Sequence, residues 1–244
     1  MVRVRVGIVG FVTPGIPRWE IPEHYRGYEF RPIVDPAKKV IAAIRADVDL
    51  LVVITHSGLD RDPNMGAAPL DQMGNENAAW ELANQVAGMN VFFYGHTHRE
   101  MPQLVVNSVL MAQAKNWGQS LAWADVVTSH GAQGRWQVEA KHSRTIPLTP
   151  DVGPDEGITK LAAYYLDATE RYPNTQIATS DKELTGPYGR YEDNPLVDLI
   201  HKVQLEAGHA DVSMATMFFT GAKIPAGAAT VRQAAELYVY ENTL

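Results

Sequence analysis

Two short apolar runs, each halted by a histidine-bearing loop, constrain this chain more than any other feature of its sequence. Residues 49–54 form a nearly continuous, β-branched run that stops at Thr55-His56-Ser57-Gly58, and residues 91–94 form a second that stops at Gly95-His96-Thr97-His98. Runs this short, apolar at successive rather than alternate positions, predict strands covered on both faces, the condition of a parallel sheet. A polar stretch over 59–74, holding Pro63 and Pro69, leads to a helix predicted over 75–86 between them. Strand, helix, strand is the grammar of the α/β class, in which ligands collect at the carboxyl ends of the strands.

The pattern extends in both directions. Residues 2–9 alternate and are rich in valine before meeting Gly10, Pro14 and Pro17, so they read as a strand entering a loop. Asp35 before Pro36 predicts a helix N-cap, with Val40, Ile41 and Ile44 along one face and an end near Ala46. Downstream, strands are predicted over 104–106, 109–113, 121–127 and 136–141, spaced like a β-meander. Three prolines, two glycines and several acids over 147–157 interrupt this and mark a boundary. The expected organisation is a main domain over 1–149, a linker with a helix over 150–174, and a second domain over 175–244. Leu161, Tyr164, Tyr165 and Ala168 give the linker helix its apolar face, and Pro173 ends it. Asn194-Pro195 opens a further helix striped by Leu196, Leu199, Ile200 and Val203 and closed at Gly208, and 211–217 reads as a strand.

Composition then removes whole classes of function. The 244 residues contain no cysteine, which excludes disulfides, thiolate metal sites and cysteine nucleophiles. A net charge of -7 without clustered Lys and Arg argues against binding a nucleic-acid polymer. Small anionic substrates stay compatible, because a bound cation overrides net charge locally. No apolar run approaches the ~20 residues of a membrane span, and the opening residues lack the basic and long apolar regions of a signal peptide.

On an extended backbone His96 and His98, two apart, present both rings to one side, and Gly95 permits close approach to whatever lies there. His56 joins them if its strand neighbours theirs, because both loops then open on one edge of the sheet. Read alone, this spacing fits a divalent-metal site and equally fits ordinary hydrogen-bonded loop residues. His24, His130, His142, His201 and His209 lie in polar or helical surroundings and read as surface or packing residues. Gly7-x-x-Gly10 lacks the third glycine of a dinucleotide fingerprint, and Ser57 lacks the nucleophile-elbow pattern.

Taken jointly, the two histidine motifs resemble the later metal motifs of the calcineurin-like metallophosphoesterases, in their nucleotidase branch. Val6–Pro14, reading VGIVGFVTP, is similar to the strand and turn that follow the Gly-Asn-His-Glu motif there. Gly10-Phe11-Val12-Thr13-Pro14 with Trp19, and His56-Ser57-Gly58-Leu59 with Asp62-Pro63, are most similar to 2′,3′-cyclic-nucleotide 2′-phosphodiesterase/3′-nucleotidases, with 5′-nucleotidases close behind. Asn194–Leu205, Ala210–Ser213, Ile224-Pro225-Ala226-Gly227 and Tyr240–Leu244 resemble the opening of that branch's C-terminal nucleotide-binding domain.

The resemblance implies the C-terminal half of a four-layer α/β/β/α sandwich, a linker helix, and the start of a second α/β domain. It implies a hydrolase of nucleotide phosphoesters with two divalent ions of the Zn, Mn, Fe, Co or Mg group. His56 and His96 would bind one ion and His98 the other, and Lys223 is a phosphate or ribose contact. It also implies a periplasmic or extracellular location. The branch's Asp-x-His, Gly-Asp and Gly-Asn-His-Glu segments are not in the sequence, and Gly74-Asn75-Glu76 does not replace them. The chain therefore reads as a fragment with no catalytic residue beyond metal ligands, and with weak or absent turnover alone. A non-catalytic metal or nucleotide binder, and one half of a split enzyme that associates through an exposed sheet edge, are the alternatives.

Overall fold

A computed structural model describes residues 3–62, 76–131 and 134–238. The expectations for Pro63, Pro69, Asn75 and the 240–244 segment lie outside them. The chain divides into two compact units, Met1–Gly153 and Pro154–Leu244.

The first unit is organised by a five-stranded sheet of order β1-β2-β3-β5-β4, made of β1 (Val6–Val12), β2 (Leu50–His56), β3 (Val91–Phe93), β4 (Met101–Val106) and β5 (Val109–Gln113). The first three strands and β5 are parallel, and β4 returns antiparallel to β5. Helices α1 (Val34–Ile44) and α2 (Ala79–Gln85) make the crossovers. The alternation of β2 divides its two faces. Leu51 and Val53 are fully buried in one core with Ala37 and Ile41 of α1, Leu82 and Ala83 of α2, and Phe92.

β5 is buried at every position, so its two faces are both covered. Val109 and Met111 belong to the helix-side core. The antiparallel pair β6 (Ser120–His130) and β7 (Trp136–Pro147) lies against β4 and β5. Ser143 N–H donates to Gln103 Oε1 and Ser143 Oγ donates to the Pro102 carbonyl, both at 2.9 Å, fastening β7 over β4. The predicted meander is thus two sheets: β4 and β5 complete the first, and among the described residues β6 and β7 pair only with each other.

The boundaries shift where tertiary contacts override local signals. β1 runs on through Gly10 to Val12, because its ladder with β2 continues to the Val12–His56 pair. α1 starts at Val34 with no side-chain cap, placing Asp35 in its first turn, and its buried positions are Ala37 and Ile41 while Val40 is exposed. α2 begins at Ala79, where Asp60 Oδ1 accepts from the N–H groups of Trp80 and Glu81.

The second unit holds α3 (Glu156–Arg171), capped by Asp155 through the Ile158 N–H, then β8 (Gln176–Ser180), β9 (Leu184–Thr185) and α4 (Pro195–Gly208). It continues with β10 (Lys223–Ile224), β11 (Gly227–Thr230) and α5 (Val231–Leu237). β10 pairs with β9 and β11 with β8. Asn194 caps α4 by accepting from Leu196 and Val197, and Leu196 and Ile200 share a small core with Met217, Ala222, Ile224 and Ala229. Gly208 is the last helical residue, and His209 takes the left-handed closing position at φ 48°. The strand predicted over 211–217 does not form. Ser213 there is tied to α4 instead, accepting from His201 Nδ1 at 2.8 Å and donating to Gln204 Oε1. No described helix is long and apolar enough to cross a membrane.

Candidate metal centre

Parallel pairing of β2 and β3 puts the ends of both strands on one edge of the sheet, with Ile54 opposite Phe93. His56 is the last residue of β2, and His96 lies three residues beyond β3. Their rings meet there: His96 Nδ1 is 3.3 Å from His56 Nε2, with centroids 5.1 Å apart. The two loops touch because residue 58 is glycine. A Cβ on Gly58 would overlap Thr97 Cγ2 and come within 2.6 Å of Asn77 Oδ1. The Gly58 N–H donates to that same Asn77 oxygen at 2.8 Å. Thr97 also reaches the other way, its hydroxyl donating to Gln113 Oε1 at 3.3 Å.

The expectation that an extended backbone aims His96 and His98 together is not met. Both adopt positive φ, 76° and 54°, so neither lies on extended backbone. His96 faces His56 and is stacked by Trp19, with centroids 5.4 Å apart and planes 24° from parallel. His98 meets the edge of Trp117, an indole 84% exposed, at 5.7 Å. His98 is still near enough to act on His56. Partial desolvation first, then the charges of His96 and His98, hold His56 below the usual histidine range.

A residue set aside by sequence reasoning completes the cluster. The Glu76 carboxylate hydrogen-bonds His96 Nε2, the nitrogen turned away from His56. Twenty residues and a polar stretch separate the two, so no local spacing signals the contact. Lys223 belongs to β10 of the second unit, largely exposed with its Nζ 3.9 Å from Glu183.

The donor set fits a borderline divalent cation at the point His56 and His96 share. Two imidazole nitrogens at about 2.0–2.1 Å from a tetrahedral ion stand about 3.4 Å apart, close to the separation here. Neutral imidazole is the ligating form. Among the described residues no group of three or more His, Cys, Asp or Glu side chains meets metal-site geometry. Glu76 does not supply a third ligand, since it lies on the far side of the His96 ring.

No family model matches the chain. Its relatives are nucleotide phosphoesterases, which are hydrolases. It is 25% identical over 282 residues to the 2′,3′-cyclic-nucleotide 2′-phosphodiesterase/3′-nucleotidase of Yersinia enterocolitica, covering 99% of this chain and 42% of that protein. Among solved structures it superimposes on a Staphylococcus aureus protein assigned as a 5′-nucleotidase with TM-score 0.76 and 22% identity, covering 100% of this chain and 47% of that one. A calcineurin-like phosphoesterase from Bacillus subtilis matches with TM-score 0.57 and 24% identity over 69% of this chain and 53% of that chain. These structural likenesses carry the mixed α/β fold, and the chain spans less than half the length of the Yersinia relative.

Proposed function

We propose that this chain carries part of the divalent-metal centre of a phosphoesterase acting on 2′,3′-cyclic, 3′- or 5′-nucleotides. One observation carries the reading beyond kinship: two imidazole nitrogens from neighbouring parallel strand ends face each other at ligand spacing. His56 and His96 hold one ion, and His98 belongs to an adjacent one. When bound, paired divalent ions supply a water nucleophile at neutral pH and offset charge on the phosphoryl oxygens. The chain's own contribution is to aim His96 through its turn and to lock the two loops at Gly58. Recognition of the nucleoside is assigned to the second unit, with Lys223 as the contact there, and action outside the cytoplasm goes with the same resemblance.

Imidazoles alone do not offset the repulsion of two close cations, so the purified chain is expected to hydrolyse 2′,3′-cyclic AMP or 3′-AMP far more slowly than the ~1–1,000 per second of ordinary enzymes. What turnover there is requires Mn²⁺ or Zn²⁺ and stops in EDTA, and 3′-AMP binding tightens when metal is added. Phosphate release that persists in chelator, or 3′-AMP binding indifferent to metal, sinks the reading.

Among the described residues no strand covers the β1 side of the first sheet, and this edge favours a supplementing partner chain. β1 is the edge strand, and Val6, Ile8 and Val12 on its one face are exposed, as is Ile54 beside them. Strands of parallel sheets are ordinarily covered on both faces, and such an edge recruits other strands. Sedimentation velocity is expected to find self-association that Ile8→Lys suppresses while leaving the circular dichroism spectrum unchanged. A monodisperse monomer at tens of micromolar removes this edge from the proposal.

A further inference from the structure

We propose that Glu76 is a positioning residue that decides which nitrogen His96 turns toward the shared cation point, an inference that rests on reading His56 and His96 as ligands. A carboxylate only accepts, so its bond to His96 Nε2 keeps the ring proton on that nitrogen. Nδ1 is then left with its lone pair facing His56. An imidazole whose far N–H is held by a carboxylate is pinned in tautomer and orientation and made a stronger donor.

The anchoring of Glu76 separates this from an incidental surface ion pair. Its carbonyl accepts from two hydroxyls, Thr13 Oγ1 at 2.8 Å and Ser57 Oγ at 2.9 Å, and both residues are fully buried. Each hydroxyl is itself fixed by a backbone donor, Gly15 N–H onto Thr13 at 3.0 Å and Ala78 N–H onto Ser57 at 3.0 Å. Thr13 directly follows β1 and Ser57 directly follows β2, so the carboxylate is delivered from the same strand ends that present the histidines. Trp19 stacked on His96 opposes rotation of the ring. Gly15 makes room for both: a Cβ there would overlap the Trp19 ring and stand 3.2 Å from Glu76 Cγ.

A consequence follows for the metal-free chain. Two facing nitrogens at 3.3 Å need one proton between them, and with His96 Nδ1 reserved as acceptor it is His56 Nε2–H that donates. Zinc uptake therefore rearranges His56 and leaves the His96 tautomer as it was.

Long-range ¹H–¹⁵N correlation on the full chain labelled at histidine reads this without catalysis. In wild type His96 is expected as the Nε2–H tautomer, before and after Zn²⁺. Glu76→Ala is expected to give a tautomer mixture and a 10–100-fold weaker zinc affinity, with Glu76→Gln intermediate, at unchanged circular dichroism. An Nδ1–H tautomer in wild type overturns the proposal, and that measurement needs no variant to fold. So do variants that keep the wild-type tautomer and bind zinc within twofold. Zinc that leaves the His56 and His96 signals of wild type unmoved defeats the ligand reading instead, and is distinguishable because the metal-free tautomer is scored separately.

Discussion

His96→Ala is expected to weaken zinc or manganese uptake by the chain by on the order of 100-fold or more, measured by equilibrium dialysis and metal analysis. The figure follows from loss of a direct ligand, since even an outer partner of a ligand is worth about 10–100-fold. Histidine 96 is also the hub of the cluster, in contact with His56, Glu76 and Trp19 at once. Alanine removes the shared donor and strands the Glu76 carboxylate, whose hydrogen bond it was. His98→Ala, whose ring turns instead to Trp117, is expected to spare the ion held by His56 and His96. Equal affinity of His96→Ala and wild type would remove the metal centre from this protein's description.

Phe92→Ala should cost about 3–5 kcal/mol of stability in the first unit. Phe92 is a fully buried side chain in the middle of β3, among Leu51, Val53, Leu82 and Met111 in the helix-side core. At about 2–4 °C per kcal/mol for a chain of this size, the melting transition of the first unit falls by about 6–20 °C in scanning calorimetry. Ile8→Ala on the exposed face of β1 gives the comparison, with a shift of a few degrees at most. A Phe92→Ala protein that melts with wild type would mean that β3 does not sit in a packed core.

What the sequence made legible was the part written in contiguous residues. The apolar runs at 49–54 and 91–94 announce buried parallel strands, and the meeting of His56 with His96 follows from the strands being neighbours. The Asn194-Pro195 start of α4 was legible for the same reason, since the cap and the first turn are adjacent in the chain. Interactions across long separations were not. Asp60 caps α2 from twenty residues upstream, and Glu76 reaches His96 across another twenty. Neither pairing has a period or a spacing. The turned backbone at His96 and His98 was hidden differently, because a two-residue spacing aims side chains together only on extended backbone, and nothing in Gly-His-Thr-His announces two left-handed residues.

Those two left-handed residues bear on how this protein can change over generations. A side chain at φ 76° or 54° is tolerated in proportion to its ease in that region, and asparagine and glycine are at home there while valine and isoleucine are not. Mutational drift at positions 96 and 98 is thus channelled toward replacements that relax the backbone as they delete the imidazole. A descendant could keep its sheet and its melting behaviour and yet have lost the proposed cation site.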